Sequence, residues 1–285
     1  MPRKKKKTYF VCSDIHSFFD PFFTALINSG FDYYNPTHYL IICGDLFDRG
    51  PDSQRLLNFL LEFSQLGRLI LIKGNHESLM KNLLQELKEG QDSNLRYWNG
   101  ISRHHWSNGT VDTLIQLTGF TEQDFLRGTY DYEKINEKLQ SYFTLIKNCV
   151  NFYEVKNYIF VHAGLPIVWH DEFPDEPGML GAWMVPEIPK GWRESSEDVW
   201  ENARWQKSIY TYKDKIFLEG KIIVFGHWHT SAFWAYKNPE KYTEFGEKAE
   251  FGIFKDIDRE TNTGIIAIDA CTAYSKKVNV LIIEE

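Results

Sequence analysis

The sequence reads as an α/β protein whose front half is built from parallel βαβ units. Seven short runs rich in β-branched or aromatic residues are each bounded by Gly, Asp or Asn, the mark of buried strands. Longer stretches with helical periodicity lie between the early runs. Strands that alternate with helices pair in parallel, because each crossover helix carries the chain back to the same end of the sheet.

Taken in order, Tyr9–Cys12, Tyr39–Cys43 and Leu69–Ile72 are expected as strands, followed by Tyr158–Val161, Ile222–Phe225, Ile265–Ile268 and Val278–Ile283. Asp52-Ser53 is expected to cap a helix through Leu56, Leu57, Leu60, Leu61 and Phe63 that stops at Gly67. His76 to Lys88 repeats the pattern with Leu79, Leu83, Leu84 and Leu87, ending at Gly90. Residues 91–148 break the rhythm as a helical insertion, with Val111–Leu117 and Tyr132–Lys147 as its clearest helices. Residues 166–205 hold five of the nine tryptophans and five of the ten prolines with little periodicity, which suits an ordered, irregular loop near the site, packed by aromatic rings. The expectation is one catalytic domain over 1–285 carrying that insertion.

Composition sets the outer bounds. With 32 Lys+Arg against 39 Asp+Glu the chain carries a net charge of −7, which excludes a broad nucleic-acid-binding face. A 43% hydrophobic share fits a folded globular protein, and no apolar run approaches the ~18 residues of a membrane span. The Arg3–Lys7 run reads as a solvated tail, and the apolar stretch after it is too short for a signal-peptide core. Cys12, Cys43, Cys149 and Cys271 form no CxxC pair and read as reduced thiols, so the expected location is cytoplasmic.

Polar residues of metal-binding type cluster just after five strands. They are Asp14-Ile15-His16, Gly44-Asp45-Leu46-Phe47-Asp48-Arg49-Gly50, Gly74-Asn75-His76-Glu77, His162-Ala163-Gly164 and Gly226-His227-Trp228-His229. Each has a structural reading alone: a solvated turn, a helix N-cap, a hydrogen-bonded core histidine. Five of them at the same kind of position, where α/β sheets place ligand crevices, make a site. Oxygen and imidazole donors without thiolate suit Mn, Fe or Zn. Two divalent ions against two aspartates would leave a cationic pocket inside an acidic protein.

This ordered set resembles the calcineurin-like metallophosphoesterases. Gly44–Gly50 and Gly74–Glu77 look most like the phosphoprotein-phosphatase branch, which includes bacterial and phage Ser/Thr phosphatases and the symmetric diadenosine-tetraphosphate hydrolases. The resemblance runs from Asp14 to about Asp269, outside the insertion and the Trp-rich segment. It implies two mixed β-sheets packed face to face and flanked by helices. It implies two divalent ions, with manganese first and iron or zinc as alternatives: Asp14 and His16 on one, Asp45 bridging, Asn75, His162 and His227 on the other. His229 matches the second histidine of the wider superfamily's Gly-His-x-His, which completes the first ion's shell. Arg49 and Arg204 would hold phosphate, with Arg193 as the alternative to Arg204, which lies 23 residues before His227. His76 would be the general acid, with Asp48 accepting its other N–H. A metal-bridging hydroxide would attack phosphorus directly, with no phosphoenzyme.

The expected function is therefore two-metal phosphoester hydrolysis of Ser/Thr phosphatase type on a phosphorylated substrate, protein or nucleotide. Symmetric dinucleoside-polyphosphate hydrolysis and phosphodiester cleavage stay open as alternatives. A non-catalytic scaffold on the same fold would have lost ligands or the acid, and here every position is filled. Cys43 and Arg49 have the spacing of cysteine-dependent phosphatases, but Asp45 and Asp48 between them would repel both thiolate and phosphate.

Overall fold

The computed structural model describes residues 6–92, 101–172 and 183–285. Eleven strands are present among them: β1 (Thr8–Cys12), β2 (His38–Cys43), β3 (Leu69–Ile72), β4 (Tyr153–Val155), β5 (Tyr158–Phe160), β6 (Val168–Glu172), β7 (Trp183–Glu187), β8 (Ile222–Phe225), β9 (Phe254–Asp258), β10 (Thr263–Ala267) and β11 (Leu281–Glu284). The first sheet runs β11-β1-β2-β3, with β1, β2 and β3 parallel and β11 antiparallel on β1. The second runs β4-β5-β8-β10-β9, with β5, β8 and β10 parallel and both edge strands antiparallel. β6 and β7 pair with each other alone.

Side chains on a strand alternate between faces, and here both faces are covered. Tyr9, Val11, Ile41 and Ile72 of the first sheet share a buried cluster with Phe160, Val224 and Ile266 of the second, so the sheets pack face to face. Phe10, Cys12, Leu40 and Ile42 point the other way, onto α1 (Phe19–Asn28), α2 (Ser53–Ser64) and α3 (Asn75–Asp92). The five helices that follow, α4 (Arg103–Ser107), α5 (Thr110–Thr118), α6 (Glu122–Arg127), α7 (Tyr132–Lys138) and α8 (Gln140–Ile146), join that same cluster through Trp106, Leu114, Phe125, Ile135 and Tyr142 in turn. Ile159, Ile223, Phe225 and Ile265 cover the outer face of the second sheet together with α9 (Glu197–Arg204), α10 (Ser208–Lys213) and α11 (Thr230–Lys237). A one-turn helix, α12 (Thr272–Ser275), precedes β11.

Two expectations differ from what forms. Tyr132–Lys147 is not one helix but two, broken at Leu139. The segment 166–205 is not irregular throughout: β6, β7, a 3-10 turn at Trp192–Glu194 and α9 lie within it, and 173–182 fall outside the described residues. Its order comes from Trp192 and Trp200, which are buried and form a three-ring cluster with Phe152, at 4.8 and 5.6 Å from it and 5.9 Å from each other. Anchors eight residues apart give no helical or strand period, which is why the pattern was silent there.

Candidate active site

Six parallel strands end at one edge, and the turn after each delivers a polar side chain. Cys12 leads to Asp14 and His16, Cys43 to Asp45, Asp48 and Arg49, and Ile72 to Asn75 and His76. Phe160 leads to His162 and Phe225 to His227. The sixth, Ala267, leads to Asp269, which was not anticipated although its position after Ile265–Ile268 repeats the same signal. The turns are sharp: Asp14, His16, Asp45, Asp48, Arg49 and His227 all have φ between 50° and 75°. Left-handed backbone at a non-glycine residue costs on the order of 1–3 kcal/mol and concentrates where a site over-determines the chain. Close packing of the turns also needs Gly74 and Gly226, where a β-carbon would collide with the carboxylates of Asp45 and Asp14 respectively.

Buried Asp45 stands at the centre. His16, Asp45 and His76 present donor atoms within 4.8 Å of one another, and so do Asp45, His162 and His227. Asp45 Oδ2 lies 3.7 Å from His16 Nε2 and 3.8 Å from His76 Nε2, while Oδ1 lies 3.3 Å from His162 Nε2. Three rings are oriented alike. Nδ1–H donates to Phe47 O from His16 (3.0 Å), to Asp48 Oδ2 from His76 (2.7 Å) and to Cys43 O from His162 (2.8 Å). That tautomer leaves each Nε2 lone pair facing Asp45, the arrangement in which an outer partner fixes an imidazole for a metal. The end of the Asn75 amide lies 2.7 Å from His162 Nε2, which in turn lies 3.2 Å from His227 Nδ1. A cation satisfies such a convergence of acceptors; the residues fit a metal.

Electrostatics agree. Burial, reinforced by neighbouring carboxylates, pushes Asp14 and Asp45 well above the usual carboxylate range. Burial holds His16, His76 and His162 well below the ordinary imidazole value and His227 at about 4, with Arg49 adding to the effect on His16, His76 and His227. The ligand set is thus carboxyls that resist ionising and imidazoles already neutral, both of which a cation would relieve. Asp48 is raised to about 7 by burial, against the donations of Thr113 and Thr110 that lower it.

Not every expected residue joins the cluster. Asp14 lies beside it, accepting the His227 backbone N–H at 2.9 and 3.1 Å. Arg49 is central: Nη1 donates to His16 Nε2 (2.9 Å) and Nη2 to His76 Nε2 (3.1 Å). Arg204 is buried away from the cavity, its guanidinium taken up by Asn151, Glu197 and Glu201, the last two lying on its own helix. Arg193 pairs with Glu154 at the surface. His229 lines the cavity, but its ring faces Ser231 Oγ (2.8 Å) and Glu244 Oε1 (3.3 Å). The cavity measures about 250 Å³. A larger groove of about 910 Å³, lined in part by Lys73, Lys81 and Phe143, lies outside the histidine cluster, so donor chemistry and not volume locates the site.

Residues 7–231 match the Calcineurin-like phosphoesterase family. The chain belongs to that family. Calcineurin-like phosphoesterases are metal-dependent, and this one has the candidate His/Asp ligands described above. Curated relatives include the symmetrical bis(5'-nucleosyl)-tetraphosphatases of Buchnera aphidicola from Acyrthosiphon pisum (34% identical over 87 residues) and from Schizaphis graminum (35% over 86 residues). Each match spans 30% of this chain and 30% of the relative. Among solved structures, a cold-active protein-tyrosine phosphatase of a psychrophilic Shewanella species is 15% identical with a TM-score of 0.44, over 97% of this chain and 75% of that one. A protein serine/threonine phosphatase from Saccharomyces cerevisiae is 14% identical with a TM-score of 0.40, over 98% and 79%.

Two more features of this family member emerge only from its structure. Glu77, part of a motif but given no role by the sequence, accepts backbone N–H groups from Asp45 (3.1 Å), Leu46 (2.9 Å) and Gly74 (2.7 Å), tying the turns after β2 and β3 together. Cys43, the thiol of the rejected alternative, is fully buried between the sheets and raised well above its usual value by that burial. No helix among the described residues is long and apolar enough to cross a membrane.

Proposed function

We propose that the chain is a two-metal phosphomonoesterase of Ser/Thr phosphatase type. One observation carries this: the single buried Asp45 carboxylate is shared by two histidine groups, His16 with His76 and His162 with His227, under the Arg49 fork. In this reading His16, Asp14 and Asp45 hold one ion, and Asp45, Asn75, His162 and His227 the other, with manganese the first choice and iron or zinc as alternatives. When bound, the ions supply positive charge for the phosphoryl oxygens and a lowered pKa for water. Arg49 leaves the imidazoles to grip two phosphoryl oxygens, which its planar fork matches. His76, neutral with an Nε2 lone pair in the metal-free fold, would take up a proton from solvent at Nε2 once the phosphate dianion is bound and give it to the leaving oxygen, with Asp48 at Nδ1 supporting the positive ring. Arg204 is left as an ion-paired brace of α9. Four free thiols suit a reducing, cytoplasmic setting.

A second reading, symmetric cleavage of a dinucleoside polyphosphate, is supported by the curated relatives and by Trp205 and Trp228 on the cavity wall. Trp205 is 41% exposed, with its indole N–H held by Glu201 Oε1 at 3.1 Å and its exposed ring surface offered to a base. A panel of p-nitrophenyl phosphate, phosphopeptides, bis-p-nitrophenyl phosphate and dinucleoside polyphosphates on metal-defined protein separates the two. Hydrolysis of the monoesters with manganese is expected. Preference for the polyphosphates by kcat/KM selects the second reading, and no hydrolysis with any divalent metal sinks both.

A further inference from the structure

The helical insertion touches the turn that carries Asp48 and Arg49, and it does so with side chains of one helix face. Thr110, Thr113 and Gln116 recur every three residues along α5, and both threonines are fully buried. Thr113 Oγ1 donates to Asp48 Oδ1 (2.8 Å) and accepts the Asp48 backbone N–H (2.9 Å). Thr110 Oγ1 donates to Asp48 Oδ2 (3.0 Å), the same oxygen that faces His76 Nδ1. Gln116 Nε2 donates to Gly50 O (3.0 Å), and Gln116 Oε1 accepts the Ser53 N–H (2.8 Å) at the start of α2. The approach is close enough that a β-carbon on Gly109 would collide with the Arg49 backbone.

We propose that this Thr110–Thr113–Gln116 face of α5 positions the Asp48–His76 pair, so that the insertion is a working part of the proton-transfer apparatus. The reasoning is geometric. Asp48 and Arg49 are successive left-handed residues, a conformation the turn does not hold unaided. A carboxylate can rotate about its last bond, and His76 alone would fix only one of its oxygens. Thr113 fixes the other oxygen and the backbone at once. The proposal rests on the phosphoesterase reading above only for the identity of the step served; the bracing itself is a property of the fold.

Thr113→Val keeps the shape and removes the hydroxyl, while Thr113→Ser keeps the hydroxyl. With phenyl phosphate, Thr113→Val is expected to lose roughly 10- to 100-fold in kcat, the usual weight of an outer hydrogen-bond partner. KM and metal content should hold, the loss with 2,4-dinitrophenyl phosphate should be much smaller, and Thr113→Ser should recover most of the rate. If Thr113→Val does not fold, Thr110→Val, which removes a single donation, carries the same comparison. A second readout needs no activity: the hydrogen-bonded His76 ring proton of the metal-free protein, identified by its loss in His76→Asn, should shift or broaden in Thr113→Val and return in Thr113→Ser. An unmoved proton signal, or equal losses on both aryl phosphates, overturns the proposal. A wild type that hydrolyses nothing while the signal behaves as described overturns the phosphoesterase reading and leaves the brace standing.

Discussion

His76 has one ring nitrogen engaged, with Nδ1 on Asp48 at 2.7 Å, so Nε2 is the atom from which a proton can pass to a leaving group. Asparagine at 76 keeps a polar side chain but cannot carry that proton. His76→Asn should lower kcat on an unactivated ester by roughly 10²–10⁴-fold with metal content intact. The deficit should narrow on an activated aryl phosphate, whose leaving group needs no proton, and identical deficits would contradict the acid role. Asp45 tests a different demand. Its two oxygens face different histidines, and Oδ1 also accepts the His76 backbone N–H at 3.1 Å. Asp45→Asn should therefore lose metal together with activity, as read by mass spectrometry of the dialysed protein. Retention of two ions per chain in that variant would refute the shared carboxylate.

The turn between β2 and α2 is the element on which site and insertion meet. Phe47 is 2% exposed and packs on Tyr142 of α8 at a ring separation of 5.2 Å, while its carbonyl accepts from His16 Nδ1. Phe47→Ala is expected to cost about 3–5 kcal/mol in denaturant unfolding, the range for a buried aromatic removed from a packed core. It should also weaken metal binding in a titration, because the turn that holds the backbone carbonyl of residue 47 against His16 Nδ1 loses its packing. A change below about 1 kcal/mol would mean that α8 does not support the turn. This coupling explains what the sequence could and could not reveal. The strand ends were legible, because a four- or five-residue apolar run followed within three residues by Asp, Asn or His is a local pattern. Helix α1 was not, since Pro21 and the adjacent Phe22 and Phe23 blur the helical spacing of Phe19, Phe22 and Leu26. Arg204 matched in order along the chain, but Glu197 and Glu201, one and two helical turns away, take its guanidinium. The contact of the Thr110–Thr113–Gln116 face with the Asp48 turn is not legible in the sequence, because nothing local says which loop a helix face will meet.

Across the whole molecule, a chain of net charge −7 encloses a core of carboxylates and imidazoles that metal would complete. The chain reads as one unit, since the insertion shares its apolar cluster with α1, α2 and α3, so a single unfolding transition is expected by calorimetry. The effect of metal on that transition depends on pH, and its sign follows from the site. Asp14 and Asp45 are raised in the metal-free fold, and Asp269 is raised to about 6 by burial. The folded state therefore holds more protons than the unfolded chain from about pH 4 upward through these raised values, and this contribution to stability falls as pH rises. The histidines act oppositely: lowered in the fold, they reduce stability as pH drops below about 6.5, and above that value they no longer contribute. Above pH 6.5 the raised carboxyls alone remain, so the metal-free protein loses stability as pH rises through their folded values, Asp269 at about 6 and Asp48 at about 7 among them, while the ligands become easier to strip of protons. Metal binding, which needs them ionised, strengthens over the same interval. At a hundredfold excess over Kd, one bound ion stabilises by about 2.7 kcal/mol. The rise in Tm on adding manganese should thus grow from pH 6.5 to pH 8, and calorimetric titration in buffers of different ionisation enthalpy should show protons released on binding. A Tm gain that is flat or shrinks across that interval, without proton release, would remove the buried carboxylates from the metal-binding set.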